Sequence, residues 1–104
     1  MKRKKRSDRT HLIYCITDLD TQQQYIGLTV LEGTVQKTLN GRLRRHFWRA
    51  TVEKKNWGLS KVLRKTNGVT IDLLDKIRGK AEAHQLEVAY IDAIEPTLNT
   101  KKKA

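Results

Sequence analysis

Apolar residues along the first third of the chain fall into two short runs rich in β-branched and aromatic side chains, residues 11–19 (HLIYCITDL) and 25–30 (YIGLTV). The polar stretch between them at residues 20–23 is a turn, so the spacing predicts a β-hairpin. Beyond a loop around Glu32 and Gly33, Leu39, Leu43, Phe47 and Ala50 recur every three or four positions. That period marks one face of a helix over residues 35–51, which Gly41 weakens without forbidding. A shorter helix is predicted from near Trp57, with Leu59, Val62 and Leu63 inward, ending at Thr66-Asn67-Gly68 with Gly68 in a left-handed cap. Residues 69–77 (VTIDLLDKI) read as a third strand, and residues 80–94 as a long helix with Ala83, Leu86, Tyr90 and Ile94 on one stripe. Pro96 stops that helix, because proline cannot continue the hydrogen-bond ladder and disfavours helix in the residue before it. The order β-β-α-α-β-α implies an α+β (mixed α/β) fold, a small three-stranded sheet flanked by about three helices. Pairing beyond the first hairpin is not legible in the pattern.

A chain of 104 residues has room for one core, which is expected over residues 11–100, between a basic arm at 1–10 and a basic tail at 101–104. Six of the first nine residues are basic, and Lys101, Lys102 and Lys103 close the chain, so both ends read as solvated arms. The net charge of +11 raises the local concentration of polyanions before any contact forms, which makes nucleic acid the first partner to consider. Charge is also polarised within the folded part. Residues 37–65 hold ten basic residues and one acid, whereas residues 66–100 hold three basic residues and six acids, as a phosphate-facing side would require. The single cysteine, Cys15, excludes an internal disulfide and fits a reduced, intracellular setting. No secretory signal and no membrane span is expected, since no apolar stretch has the necessary length.

Some residues sit uneasily on these elements. Glu87 lies four positions after Ala83 and three before Tyr90, on the stripe that the last helix turns inward, where a carboxylate is rare unless it is paired or holds a metal. His84, one turn earlier, is a possible second ligand, but is equally a half-exposed polar residue and is left out of the predicted site. Arg42 and His46 are one helical turn apart and share a side of the first helix. Arg44, Arg45 and Arg49 are placed on its outer side, either solvated or in contact with phosphates. Tyr14 and Tyr25 lie on the two strands of the hairpin, where two tyrosines alone would be ordinary packing. Asn99 follows Pro96 in a position typical of turns.

Taken in order, these residues resemble the GIY-YIG nuclease family. The first motif is Leu12-Ile13-Tyr14, and ten residues separate its tyrosine from the second, Tyr25-Ile26-Gly27. The third is the helix segment Gly41-Arg42-Leu43-Arg44-Arg45-His46-Phe47, the fourth Glu87-Val88-Ala89-Tyr90-Ile91, and the last Pro96-Thr97-Leu98-Asn99. Leu12 stands where the family name has glycine. The resemblance implies an endonuclease that hydrolyses DNA phosphodiester bonds, with Tyr14, Tyr25, Arg42, His46, Glu87 and Asn99 in the site and one Mg²⁺ or Mn²⁺ held by Glu87. It further implies that Tyr14 activates the attacking water with its pKa lowered by neighbouring cations, that His46 assists, that Arg42 clamps the phosphate, that Tyr25 joins the phosphate or water network and that Asn99 fixes the metal-side geometry. Arg44, Arg45, Arg49, Lys54 and Lys55 are the expected nucleic-acid contacts. Double-stranded DNA is the expected partner, bound by a monomer or a transient dimer, and a phage or mobile-element origin in a bacterial cytoplasm would suit such a nuclease. The competing expectations are a non-catalytic basic nucleic-acid-binding protein and a nuclease acting on RNA.

Overall fold

A computed structural model describes residues 9–52 and 58–99. Residues 1–8 of the basic arm, the basic tail and Lys54, Lys55 and Trp57 lie outside the described residues, whereas Thr10, placed in the arm, opens the first strand. The order is β1 (Thr10–Asp18), β2 (Gln24–Val30), α1 (Val35–Thr51), α2 (Gly58–Lys65), β3 (Val69–Arg78) and α3 (Lys80–Ile94). Three antiparallel strands in the order β2-β1-β3 and three helices make an α+β fold with the predicted sequence of elements.

The centre of the sheet is β1, and its nearly unbroken apolar run has a physical reason: both of its faces are covered. Leu12, Tyr14 and Ile16 point into a core closed by Leu39 and Ala50 of α1 and Leu59 and Leu63 of α2. Ile13 and Cys15 point the other way and, with Ile26, meet Leu86, Tyr90 and Ile91 of α3. The predicted inward stripe of α3 therefore passes through Ile91 rather than Ile94, which is exposed. Pairing of β1 with β3, not legible beforehand, is antiparallel with a bulge opposite Ile13 and Tyr14. At that bulge the Leu74 carbonyl accepts a hydrogen bond from the Tyr90 hydroxyl at 3.3 Å, which ties α3 to the sheet.

The turn before β3 corrects the expectation for Gly68, which is not left-handed. A side-chain network holds that turn instead. The Thr66 hydroxyl donates to the Asp18 carboxylate and accepts from the Gly68 N–H at 3.1 Å, while the Asn67 N–H reaches the Asp20 carboxylate at 3.0 Å. Hydrogen bonds from the Thr21 and Thr66 hydroxyls keep the Asp18 carboxyl below the usual carboxylate range, so it is ionised at neutral pH.

After α3 the chain turns at Glu95, in the left-handed region at φ 53°, and the buried Pro96 directs it back along the outer edge of β2. There the Leu98 N–H donates to the Gln24 carbonyl at 3.0 Å. The Asn99 side chain accepts from the Ile26 N–H at 2.7 Å and donates to the Ile26 carbonyl at 2.8 Å, replacing a strand neighbour with a single amide.

Candidate functional site

A cleft of about 800 Å³ follows edge strand β2, with α1 on one side and α3 on the other. It is lined by Tyr14 and His11 of β1, Tyr25 of β2, Gly41, Arg42, Arg45 and Arg49 of α1, and Lys80, His84 and Glu87 of α3. The hairpin, the first helix and the last helix thus bring four of the predicted site residues, Tyr14, Tyr25, Arg42 and Glu87, to one cavity.

A buried three-membered chain of polar groups lies at its base. The Arg42 Nε–H donates to the Tyr14 hydroxyl at 3.2 Å, and the Tyr14 oxygen lies 2.8 Å from His46 Nε2. Tyr14 is buried on the strand that the helices enclose, and the backbone makes room for it at Gly27, its cross-strand partner. A Cβ at that position would overlap the phenol ring of Tyr14, so only glycine accommodates it. Gly27 therefore has a defined task in the Tyr25-Ile26-Gly27 motif. The Tyr25 ring stands edge-on to His46 with centroids 5.5 Å apart and lies 6.4 Å from that of Tyr14, which closes the pocket around the chain.

Protonation follows from burial and from the neighbouring arginines. Burial, then the positive charges of Arg42, Arg49 and Arg45, push the His46 pKa down to about 4, so its imidazole is neutral at physiological pH. In the neutral tautomer protonated at Nδ1, the bare Nε2 accepts the Tyr14 proton and the chain runs from Arg42 to Tyr14 to His46. The Tyr14 phenol is pushed up to about 12 by burial and by Tyr25, against the opposing influence of Arg42. Arg42 acts in the expected direction, through its hydrogen bond and its charge, but burial and Tyr25 outweigh it. Burial likewise raises Tyr25, with Arg42 and Glu87 acting in opposite directions.

Three other placements differ from expectation. Arg45, itself exposed, and Arg49 follow Arg42 at steps of three and four residues and line the cleft, whereas Arg44 does not. Asn99 is not among the residues lining the cleft, and both halves of its amide are engaged by Ile26, so it holds the strand that carries Tyr25 and Gly27. On α3 the cleft receives Lys80 and His84 as well as Glu87. Their spacing of four and three residues marks a second, polar stripe on α3, of which the sequence reading weighed His84 and left Lys80 aside. His11, buried and donating from Nδ1 to the Arg9 carbonyl at 2.8 Å, lines the same cavity and had no sequence signal.

Glu87 is half-buried at the border of the inward stripe, and its carboxylate faces the cleft close enough to the phenols to raise the pKa of both. Among the described residues no three metal-ligating side chains cluster, so a cation at Glu87 would complete its coordination with water and substrate oxygens. That donor set fits a hard, six-coordinate divalent ion such as Mg²⁺, which retains several waters. Among the described residues no helix is long and apolar enough to cross a membrane. Comparison of the chain with protein-family models, with curated proteins and with solved structures finds no match.

Proposed function

We propose that this chain is a metal-dependent endonuclease of the GIY-YIG type that hydrolyses phosphodiester bonds in double-stranded DNA. The observation that carries the proposal is the meeting of Arg42, Tyr14 and Glu87 at one cavity whose α1 wall is lined with arginines, with His46 bonded to Tyr14 behind it. A purely electrostatic nucleic-acid binder has no use for a buried, hydrogen-bonded phenol-imidazole pair beside a carboxylate.

Arg42, Arg45 and Arg49 receive the phosphate, and the planar fork of Arg42 suits its non-bridging oxygens as negative charge accumulates on them. In the resting protein Arg42 covers the Tyr14 hydroxyl. Its transfer to a phosphate frees a lone pair there for a water molecule. That water then loses its proton to the Tyr14 oxygen while the phenolic proton passes to His46 Nε2, so a phenol with a pKa near 12 need never exist as a free phenolate in the ground state. Neutralising the arginines with phosphate also removes part of the field that makes His46 a weak base. The oxygen of water bonds to phosphorus as the bond to the departing sugar oxygen breaks, and that oxygen takes up a proton. A divalent cation bound at Glu87 supplies Lewis-acid stabilisation of the phosphate oxygens.

Incubation of the purified protein with supercoiled plasmid and with structured RNA, each with Mg²⁺ or with EDTA, tests the proposal. Mg²⁺-dependent conversion of plasmid to nicked or linear DNA is expected. Binding of plasmid without cleavage at any divalent ion would leave only a basic binding protein, and cleavage confined to RNA would reassign the substrate.

A further inference from the structure

We propose that His84 is a second protein ligand to the cation at Glu87, and that the site therefore prefers divalent ions that accept imidazole, such as Mn²⁺, over Mg²⁺. The inference rests on the reading of Glu87 as the metal-binding carboxylate and adds to it a residue and a selectivity. His84 and Glu87 are three residues apart on α3 and both line the cleft, with His84 Nδ1 3.8 Å from Glu87 Oε1. Two donors on one octahedral ion, each at about 2.1 Å, are about 3.0 Å apart when adjacent and about 4.2 Å apart when opposite. The observed separation is wider than the adjacent value by about 0.8 Å, a gap that torsional adjustment of these two side chains closes to place both donors on one ion. A carboxylate and an imidazole three residues apart on one helix also hold metal in four-helix carboxylate sites, there with the glutamate first.

The surroundings favour a shared ion over a simple ion pair. The helix is anchored to the sheet by Leu86, Tyr90 and Ile91, and Ile91 lies one turn beyond Glu87 and two beyond His84, so α3 has little freedom to turn His84 away from the cavity. The His84 side chain is 56% exposed, and a solvated pair of this kind contributes little to stability by itself. Imidazole is a poor partner for a hard ion that keeps its waters, whereas affinity for nitrogen donors rises along the first-row divalent series. One carboxylate and one imidazole leave the remaining positions to water and phosphate oxygens, as a site that must exchange substrate requires.

The test is a Mn²⁺ titration of the full chain followed by electron paramagnetic resonance, with pulsed detection of directly coordinated nitrogen, on the wild type, His84→Ala and Glu87→Ala, each checked for folding by circular dichroism. The wild type should bind one Mn²⁺ with a coordinated-nitrogen signal. His84→Ala should fold, lose that signal and bind Mn²⁺ at least about tenfold more weakly, a size that even outer partners of a metal site produce, with its Mg²⁺ affinity changed far less. A wild type that binds no Mn²⁺ at millimolar concentration, or binds it without nitrogen, overturns the inference, as does a His84→Ala variant with unaltered affinity and signal. If Glu87→Ala alone loses the ion, the inference fails while the role of Glu87 stands. If Glu87→Ala keeps wild-type affinity, the metal assignment falls with it.

Discussion

Replacing Asn99 by alanine separates a residue that acts in the cleft from one that holds the wall of the cleft. Its amide makes two hydrogen bonds to the backbone of Ile26, at 2.7 and 2.8 Å. Each contributes a net of about 1 kcal/mol, so the variant should lose about 2 kcal/mol, somewhat less if water reaches the exposed edge of β2. For a domain of this size that corresponds to a fall in Tm of about 8–16 °C. The loss is local in origin, because Gln24 remains joined to Leu98 while the middle of β2 is released. Thermal denaturation gives the global figure, and amide hydrogen exchange at Ile26 should accelerate more than at Leu12 or Ile16 on β1. DNA cleavage should fall through displacement of Tyr25 and Gly27 and recover partly on cooling or with stabilising osmolyte. A variant with wild-type stability and unaltered Ile26 exchange but no activity would refute the structural role and return Asn99 to the chemistry.

Gly27→Ala places a methyl group against the Tyr14 phenol, and should cost about 1–3 kcal/mol in urea denaturation and abolish cleavage, because the ring cannot stay both over the strand and against His46; an active, stable variant would contradict the packing. Since the folded His46 pKa lies at about 4, below the unfolded value near 6.5, its contribution is fully present above pH 6.5 and is lost as pH falls towards 4, by up to about 3 kcal/mol. The urea midpoint should decline through that window in the wild type and more shallowly in His46→Gln, and parallel slopes would be the opposing result. Tyr14→Phe and Arg42→Ala should each lower the cleavage rate by orders of magnitude while DNA affinity changes much less, as single-turnover kinetics beside binding isotherms would show; near-normal turnover in either would remove that residue from the chemistry.

Most elements were legible because their burial is one-sided and therefore periodic. Helix α1 shows its inward residues at steps of three and four, and its predicted limits coincide with those observed. Strand β1 was legible for another reason: covered on both faces, it is apolar almost throughout. The neighbour of β1 on its far side was not readable, because cross-strand register depends on which helix covers which face and leaves no periodic trace. The first strand was expected to include Leu19, but pairing with β2 and β3 ends at Thr17 and Asp18, where the Asp18 network takes over.

Within the site, Arg42 and His46 were readable as one helical turn, and Glu87 as a carboxylate where an apolar side chain was expected. The positions of Arg45 and Arg49 were not, since a helical wheel shows no partner and the edge of β2 opens the cleft further round α1 than the apolar stripe implied. Burial outweighs the lowering of the Tyr14 pKa by Arg42, and the extent to which α1 and α2 close over β1 depends on tertiary packing. Asn99 looked like a site residue or a turn residue, whereas its amide substitutes for a missing strand, a role that exists only once the chain has returned to β2.

The measurement that bears most directly on the account is cleavage of plasmid DNA by Glu87→Ala set beside its DNA affinity under the same salt and Mg²⁺. A carboxylate that serves the reaction through a divalent ion should be indispensable to cleavage and nearly irrelevant to binding, which rests on the many basic residues. The variant is expected to bind as the wild type does and to cut no DNA. Mg²⁺-dependent cutting at an undiminished rate would contradict the account.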